Sequence, residues 1–173
     1  YGYQTDIVFD RPNYCKIDIM NSVNRSESLY LSGNEIEDAN RTLRGIGFSG
    51  GLKGLISLAE EIGTANGVPI KATCDAKYLE VGTTTKADNV NTLLREVLAP
   101  AGIESGSCAF WGDEYLALDD GIWGSDAAMI TSQSKEGDFF DVGSIPGPRP
   151  EKVIHLGGGI HTFLSFLADQ QLR

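Results

Sequence analysis

Apolar residues fall at two spacings along the chain. From Tyr14 to Met20 (YCKIDIM) they alternate, with Ile17 and Ile19 on one side, which predicts a strand with one wet face. Residues Asn21 to Asn40 are rich in Ser, Asn and Glu and predict a loop or a weak helix. Leu52, Leu55, Ile56, Ala59 and Ile62 follow a 3.6-residue period, so an amphipathic helix is expected over Gly51–Ile62, stopped at Gly63. After an Asn66-Gly67 turn come two short strands, Pro69–Cys74 and Tyr78–Val81, joined by a tight Asp75-Ala76 turn. Strand, helix and hairpin make a small α+β unit.

The character changes near Gly82. Thr83-Thr84-Thr85 leads into a helix with Val90, Leu93, Leu94, Val97 and Leu98 on one face, and Thr85 and Asp88 have the spacing of a capping box. Ala99-Pro100 ends it. Three short apolar strands are expected at Ser107–Trp111, Ala127–Thr131 and Val153–Leu156. Gly143–Pro150 (GSIPGPRP) reads as a loop between strands. Gly157-Gly158-Gly159 opens a last helix with Ile160, Phe163, Leu164 and Leu167 on one face. Helix, three strands and helix suggest part of a parallel α/β layer. The predicted division is 1–83 and 84–173.

Composition narrows the function. The 173 residues carry 14 Lys plus Arg against 24 Asp plus Glu, a net charge of −10. Phosphate backbones and anionic membranes select basic faces, so neither is an expected partner. No apolar run reaches the roughly 20 residues of a membrane-spanning helix. Cys15, Cys74 and Cys108 are odd in number and widely spaced. They predict reduced thiols and a cytoplasmic setting rather than a disulfide framework or zinc knuckle. The sequons at Asn24 and Asn40 are read as chance in a chain with no export signal.

The most informative stretch is Phe110–Met129, FWGDEYLALDDGIWGSDAAM. A buried strand ends in Gly112-Asp113, and a Gly-Ser-Asp turn brings in Asp126. Ligands of open α/β sheets bind at the carboxyl ends of strands. Two carboxylates on Gly-flanked turns suit a hard cation such as Mg2+. On the residues alone, two turn aspartates fit equally well. Lys86 stands in the first turn of its helix, where a cation opposes the dipole unless it has an anionic partner. A solvated surface lysine is the plainer reading of Lys86 in isolation.

Together these segments carry a resemblance. TTTKADNVNTLL, FWGDEYLALDDGIWGSDAAMI, GDFFDVG and VIHLGGGIHTFLSFL resemble the carboxyl-terminal half of haloacid dehalogenase (HAD) superfamily phosphatases. The nearest branch has a large α/β cap, as in Cof-type and sucrose-phosphate-phosphatase-like enzymes. YLEVGTTTK matches the exit from that cap, and the strand, helix and hairpin before it resemble the cap itself. The resemblance implies an α/β fold: a partial Rossmann-like HAD core after an α+β cap. It implies Mg2+-dependent hydrolysis of a small phosphate ester, a phosphosugar by preference, through an aspartyl-phosphate. Lys86 would balance charge on the phosphoryl group. Asp113 and Asp126 would hold the metal, with Asp119 and Asp120 as competitors for the second place.

One departure is large. The family's nucleophile lies in an Asp-x-Asp-Gly-Thr segment, which is not found here. Ile7-Val8-Phe9-Asp10 is the nearest echo, but Arg11-Pro12-Asn13 follows it. The second family motif, a Ser or Thr at the next strand end, is also missing. The chain starts at Tyr1, and the expectation is that the amino-terminal part of the core is not in it, so that alone it does not turn over. The alternative is an inactive HAD-like fragment or remnant that binds a phosphorylated ligand. An incomplete sheet edge would invite pairing with a second copy.

Other readings are weaker. Gly47-Phe48-Ser49-Gly50-Gly51 has the G-x-S-x-G spacing of a nucleophile elbow, with Asp113 and His155 or His161 in serine-hydrolase order. The residues before it, Thr42–Ile46, make a poor strand. His155 and His161 have no Cys or His at ligand spacing. Gly157–Gly159 lacks the lysine of a P-loop.

Overall fold

Strand pairing separates polar from apolar side chains in the first part of the chain. A computed structural model describes residues 5–19, 33–75 and 77–171. The end of the predicted first strand at Met20, most of the polar stretch before α1, the sequon at Asn24 and Ala76 of the predicted turn lie outside them. The elements are β1 (Asp6–Arg11), β2 (Tyr14–Asp18), α1 (Gly33–Gly45), α2 (Gly51–Ala65), β3 (Lys71–Cys74), β4 (Tyr78–Gly82) and α3 (Lys86–Leu93). They continue with β5 (Ala109–Gly112), β6 (Ala117–Asp119), β7 (Ile122–Trp123), β8 (Asp138–Asp141), β9 (Val153–His155) and α4 (Ile160–Gln171). This is a mixed α/β chain, and no described helix is long and apolar enough to cross a membrane. Contacts divide it into two units: Tyr1–Thr85 with Ala117–Ser125, and Lys86–Leu116 with Asp126–Arg173.

The first unit holds a four-stranded antiparallel sheet in the order β1-β2-β4-β3. Ala72, Cys74 and Leu79 are buried on its apolar side. There α2 lies close to β3, and Glu60 Oε1 accepts the Ala72 N–H at 3.2 Å. The helix α1 has few apolar positions, but Ile36, Ala39 and Leu43 are buried on one stripe. Asn40 is buried with them. Its Nδ2 donates to the Leu118 carbonyl at 2.8 Å, and its Oδ1 accepts the Leu52 N–H at 3.0 Å, so one side chain fixes the start of α2 and the strand β6. The β6–β7 hairpin turns at Asp120-Gly121, where Gly121 has φ 70°, a value that glycine adopts without strain.

The second unit contains the parallel sheet expected from the sequence, in the order β5-β8-β9. Its strands carry aromatic residues on both faces. Phe110 stacks on the fully buried Phe139 with ring centres 4.9 Å apart. On the other face Trp111 meets Phe140 at 4.7 Å, and α4 adds Phe163 and Phe166 at 5.3 and 4.8 Å from the indole. These offset and tilted pairs are the favoured ring geometries. Beyond α3 the helix widens into a π-helical turn at Leu94–Leu98 and tightens at Ala99–Ala101, ahead of the left-handed Gly102.

One predicted strand is corrected. Ala127–Thr131 is not extended; Ser125–Met129 forms a 3-10 turn. Local bonds decide this: the Asp126 N–H reaches the Glu114 carbonyl at 3.2 Å, and Ser134 Oγ donates to the Met129 carbonyl at 2.6 Å. The strand beside β5 is instead β8, in the segment Gly137–Gly143.

Candidate functional site

The site is built at the carboxyl end of β5. This strand leaves the sheet at Gly112 and turns through Asp113 and Glu114. Asp126 closes the turn from the far side of the β6–β7 excursion. Its Oδ2 accepts the N–H groups of both Asp113 and Glu114 at 2.8 Å. Its Oδ1 receives the ammonium of Lys86 at 2.5 Å. Asp126 is 5% exposed, so its charge is held by three donors rather than by water.

Lys86 comes from the first turn of α3, directly after Thr85. A lysine at a helix start faces the positive end of the dipole, and here two carboxylates offset that cost. Besides Asp126, Glu114 Oε2 lies 3.8 Å from Nζ. Asp113 is more exposed than Asp126 and stands at the rim of the turn. Lost hydration pushes its carboxyl above the ordinary range, and the Asp126 charge pushes it further, against a downward pull from Lys86. Asp141 adds to the rise.

Gly112 is required by close approach. A Cβ there would run into the Asp126 carboxylate. The end of β8 braces the same edge. The Val142 N–H donates to the Gly112 carbonyl at 2.9 Å. Asp141 is fully buried, with one oxygen on the Gly143 N–H at 2.7 Å and the other on Arg149 Nε at 2.5 Å. Arg149 also donates to the carbonyls of Ile145 and Gly147, which ties the Pro/Gly loop back on itself. Tyr115 is fully buried, and its hydroxyl has no hydrogen-bond partner among the described residues. Burial pushes its phenol up, and the charges of Asp126 and Asp141 add to that.

Lys86, Asp113 and Asp126, separated by up to 40 positions, are therefore gathered in one place. Of the competitors, Asp119 is engaged elsewhere: both its oxygens take Arg44, at 2.8 and 2.9 Å. Asp120 lies exposed in the hairpin turn. The nucleophile-elbow spacing at Gly47–Gly51 follows the helix α1, not a strand, and so lacks the elbow's geometry. His155 binds the Gly143 carbonyl through Nε2 at 2.8 Å. Glu114 and the Asp141–Arg149 pair were not singled out by sequence reasoning. Glu114 could have been found by its adjacency to Asp113.

Among the described residues, no group of three or more His, Cys, Asp or Glu side chains is gathered for a metal ion. The donor set at this turn is two hard carboxylates, one at the rim and one bonded to Lys86, which matches a cation that keeps most of its waters. No family model, curated protein or solved structure matches this chain.

Proposed function

We propose that the chain carries the lysine and metal-binding arm of a Mg2+-dependent phosphatase site of HAD type, acting on a small phosphate ester such as a phosphosugar. The observation that supports this is the bridge from Lys86 through Asp126 to the Asp113–Glu114 turn, at the carboxyl end of a parallel strand. Asp113 would hold Mg2+ from the rim, with Asp126 behind it. Bound Mg2+ would neutralise charge on the phosphoryl group. Lys86 would orient the same group and offset its charge, since positioning and electrostatics dominate phosphoryl transfer. In the reaction that the resemblance implies, a carboxylate attacks phosphorus and displaces the ester oxygen, and water then releases phosphate. No Asp-x-Asp-Gly-Thr segment stands in this sequence to supply that carboxylate. That observation favours a second reading, a scaffold that binds Mg2+ and phosphate without turnover.

The test is a titration of the chain with Mg2+ and then inorganic phosphate, followed by NMR at the Asp113 and Glu114 amides, with a parallel hydrolysis assay on an aryl phosphate. Mg2+ is expected to move both amides in the wild type and not in Asp113→Asn. Phosphate is expected to follow only with Mg2+ present and Lys86 intact, with no aryl alcohol released. Amides unmoved by either ligand would overturn the proposal. Turnover by this chain would remove the binding-scaffold reading.

A further inference from the structure

One side of the second unit's sheet is only partly covered. Trp111 pairs with Phe140 and Phe140 with Ile154, so the three side chains share a face, the one on which α4 lies. Leu156, two residues on, keeps to it, because its N–H still reaches the Asp141 carbonyl at 2.8 Å. On the helix, Phe163 and Phe166 turn to the Trp111 indole. Ile160, Leu164 and Leu167 fall about 100° round from them. Ile154, Leu156, Ile160, Leu164 and Leu167 are each between 41% and 53% exposed, and no described residue of α4 is buried.

The size of this patch suits a dimer. A half-exposed Ile or Leu leaves about 100 Å², so the five present about 500 Å², at the upper end for the largest patch of a monomer. Homodimer interfaces are about 65% apolar, so such a patch is the apolar share of about 750 Å² per copy, close to the roughly 800 Å² of a standard interface. The charge pattern points to the same place. No Asp, Glu, Lys or Arg stands from Val153 to Ala168, in a chain with a net charge of −10. A second copy brings the same charge, so it is repelled least where neither side carries any. An anionic membrane would find no basic residue there to hold it.

The spacing on α4 is also self-matching. Ile160 precedes Leu164 by four residues and Leu167 follows it by three, the repeat of a helix–helix seam. About a two-fold axis near Leu164, an antiparallel copy sets Leu167 against Ile160 and Leu164 against itself. We infer that this side of the second unit joins two copies of the chain in a two-fold dimer, with α4 against α4. The inference does not need the Lys86 site, a metal or a phosphate.

Sedimentation equilibrium of the full chain in EDTA, from about 1 to 100 μM, tests it. The mass is expected to rise from 18.6 kDa to twice that value and to stop there. Added salt should favour the dimer, because it screens the repulsion between two acidic chains. Leu164→Glu sets two carboxylates at the axis and should weaken association at least about hundredfold. Leu93→Glu, at an exposed position of α3, should dimerise like wild type. Far-UV circular dichroism checks that each variant is folded. Should Leu164→Glu fail to fold, Ile160→Gln takes its place, with an expected loss of about tenfold. A chain that stays at 18.6 kDa throughout would overturn the inference, and so would a mass that climbs past the dimer. Leu164→Glu associating like wild type, or Leu93→Glu dissociating in its stead, would also overturn it.

Discussion

The ammonium of Lys86 and the carboxylate of Asp126 meet at 2.5 Å across 40 residues of sequence, and the second oxygen of Asp126 holds two backbone N–H groups. One side chain therefore binds both the start of α3 and the exit of β5. Asp126→Ala should destabilise the chain by about 2 kcal/mol, because it strips an acceptor from two donors and a partner from Lys86. Lys86 is 41% exposed, so the ion pair itself is solvent-screened and contributes only part of that. Asp126→Asn, which keeps an acceptor, should lose about half as much. Urea denaturation measures both, and equal losses would refute the division.

Asp113 gives a pH dependence of known sign. Partial burial and the neighbouring Asp126 charge raise its folded-state pKa. The folded chain then holds a proton that the unfolded chain has already released. Asp113 therefore costs no stability at low pH, and the cost develops as pH rises from about 4 through the raised value. Asp113→Asn should melt higher than wild type at pH 7 and match it in acid. Thermal melts across that range check the trend, and a gap constant with pH would count against it.

Tyr115 points the other way from most buried polar groups. Its hydroxyl has no hydrogen-bond partner among the described residues. Removing an unpaired buried hydroxyl relieves a desolvation cost, so Tyr115→Phe should be neutral or stabilising by up to about 1 kcal/mol. A loss above about 1 kcal/mol in urea would mean that the hydroxyl is bonded in solution.

Arg149 and Asp141 form a pair that is 6% and 0% exposed. Arg149→Ala leaves Asp141 buried without its cation and frees the loop carbonyls that Arg149 held. The expected loss is about 3–5 kcal/mol. Chemical denaturation of the variant tests this, and a loss under 1 kcal/mol would show that the loop is held by other contacts.

Regular periodicity made some of these elements legible. Leu52, Leu55, Ile56 and Ala59 announce α2 because the 3.6-residue repeat is kept without interruption. The helix α1 was legible only as one of two alternatives, a loop or a weak helix ending at Asn40, because its buried stripe includes the polar Glu35 and Asn40, and Asn40 has its partners far off in sequence. AAMIT has strand-like composition, yet the bond from the Asp126 N–H to the Glu114 carbonyl and the Ser134 hydroxyl on the Met129 carbonyl hold the segment in a turn. The β6–β7 hairpin was announced by Asp120-Gly121, but the carboxylates there were weighed as ligands instead of as turn formers. Lys86, Asp113 and Asp126 could be named individually from their turns and helix start. That Asp126 spends one oxygen on Lys86 and the other on the turn is a tertiary fact with no local pattern.

The cluster around Trp111 couples distant parts of the second unit. The indole lies two residues before Asp113 and touches Phe140 on β8 and both Phe163 and Phe166 on α4. Any opening that lifts the carboxyl-terminal helix must wet that indole before it disturbs β5. The emission of Trp111 is thus a natural optical gauge of helix detachment, and hydrogen exchange along α4 should rise in step with its red shift.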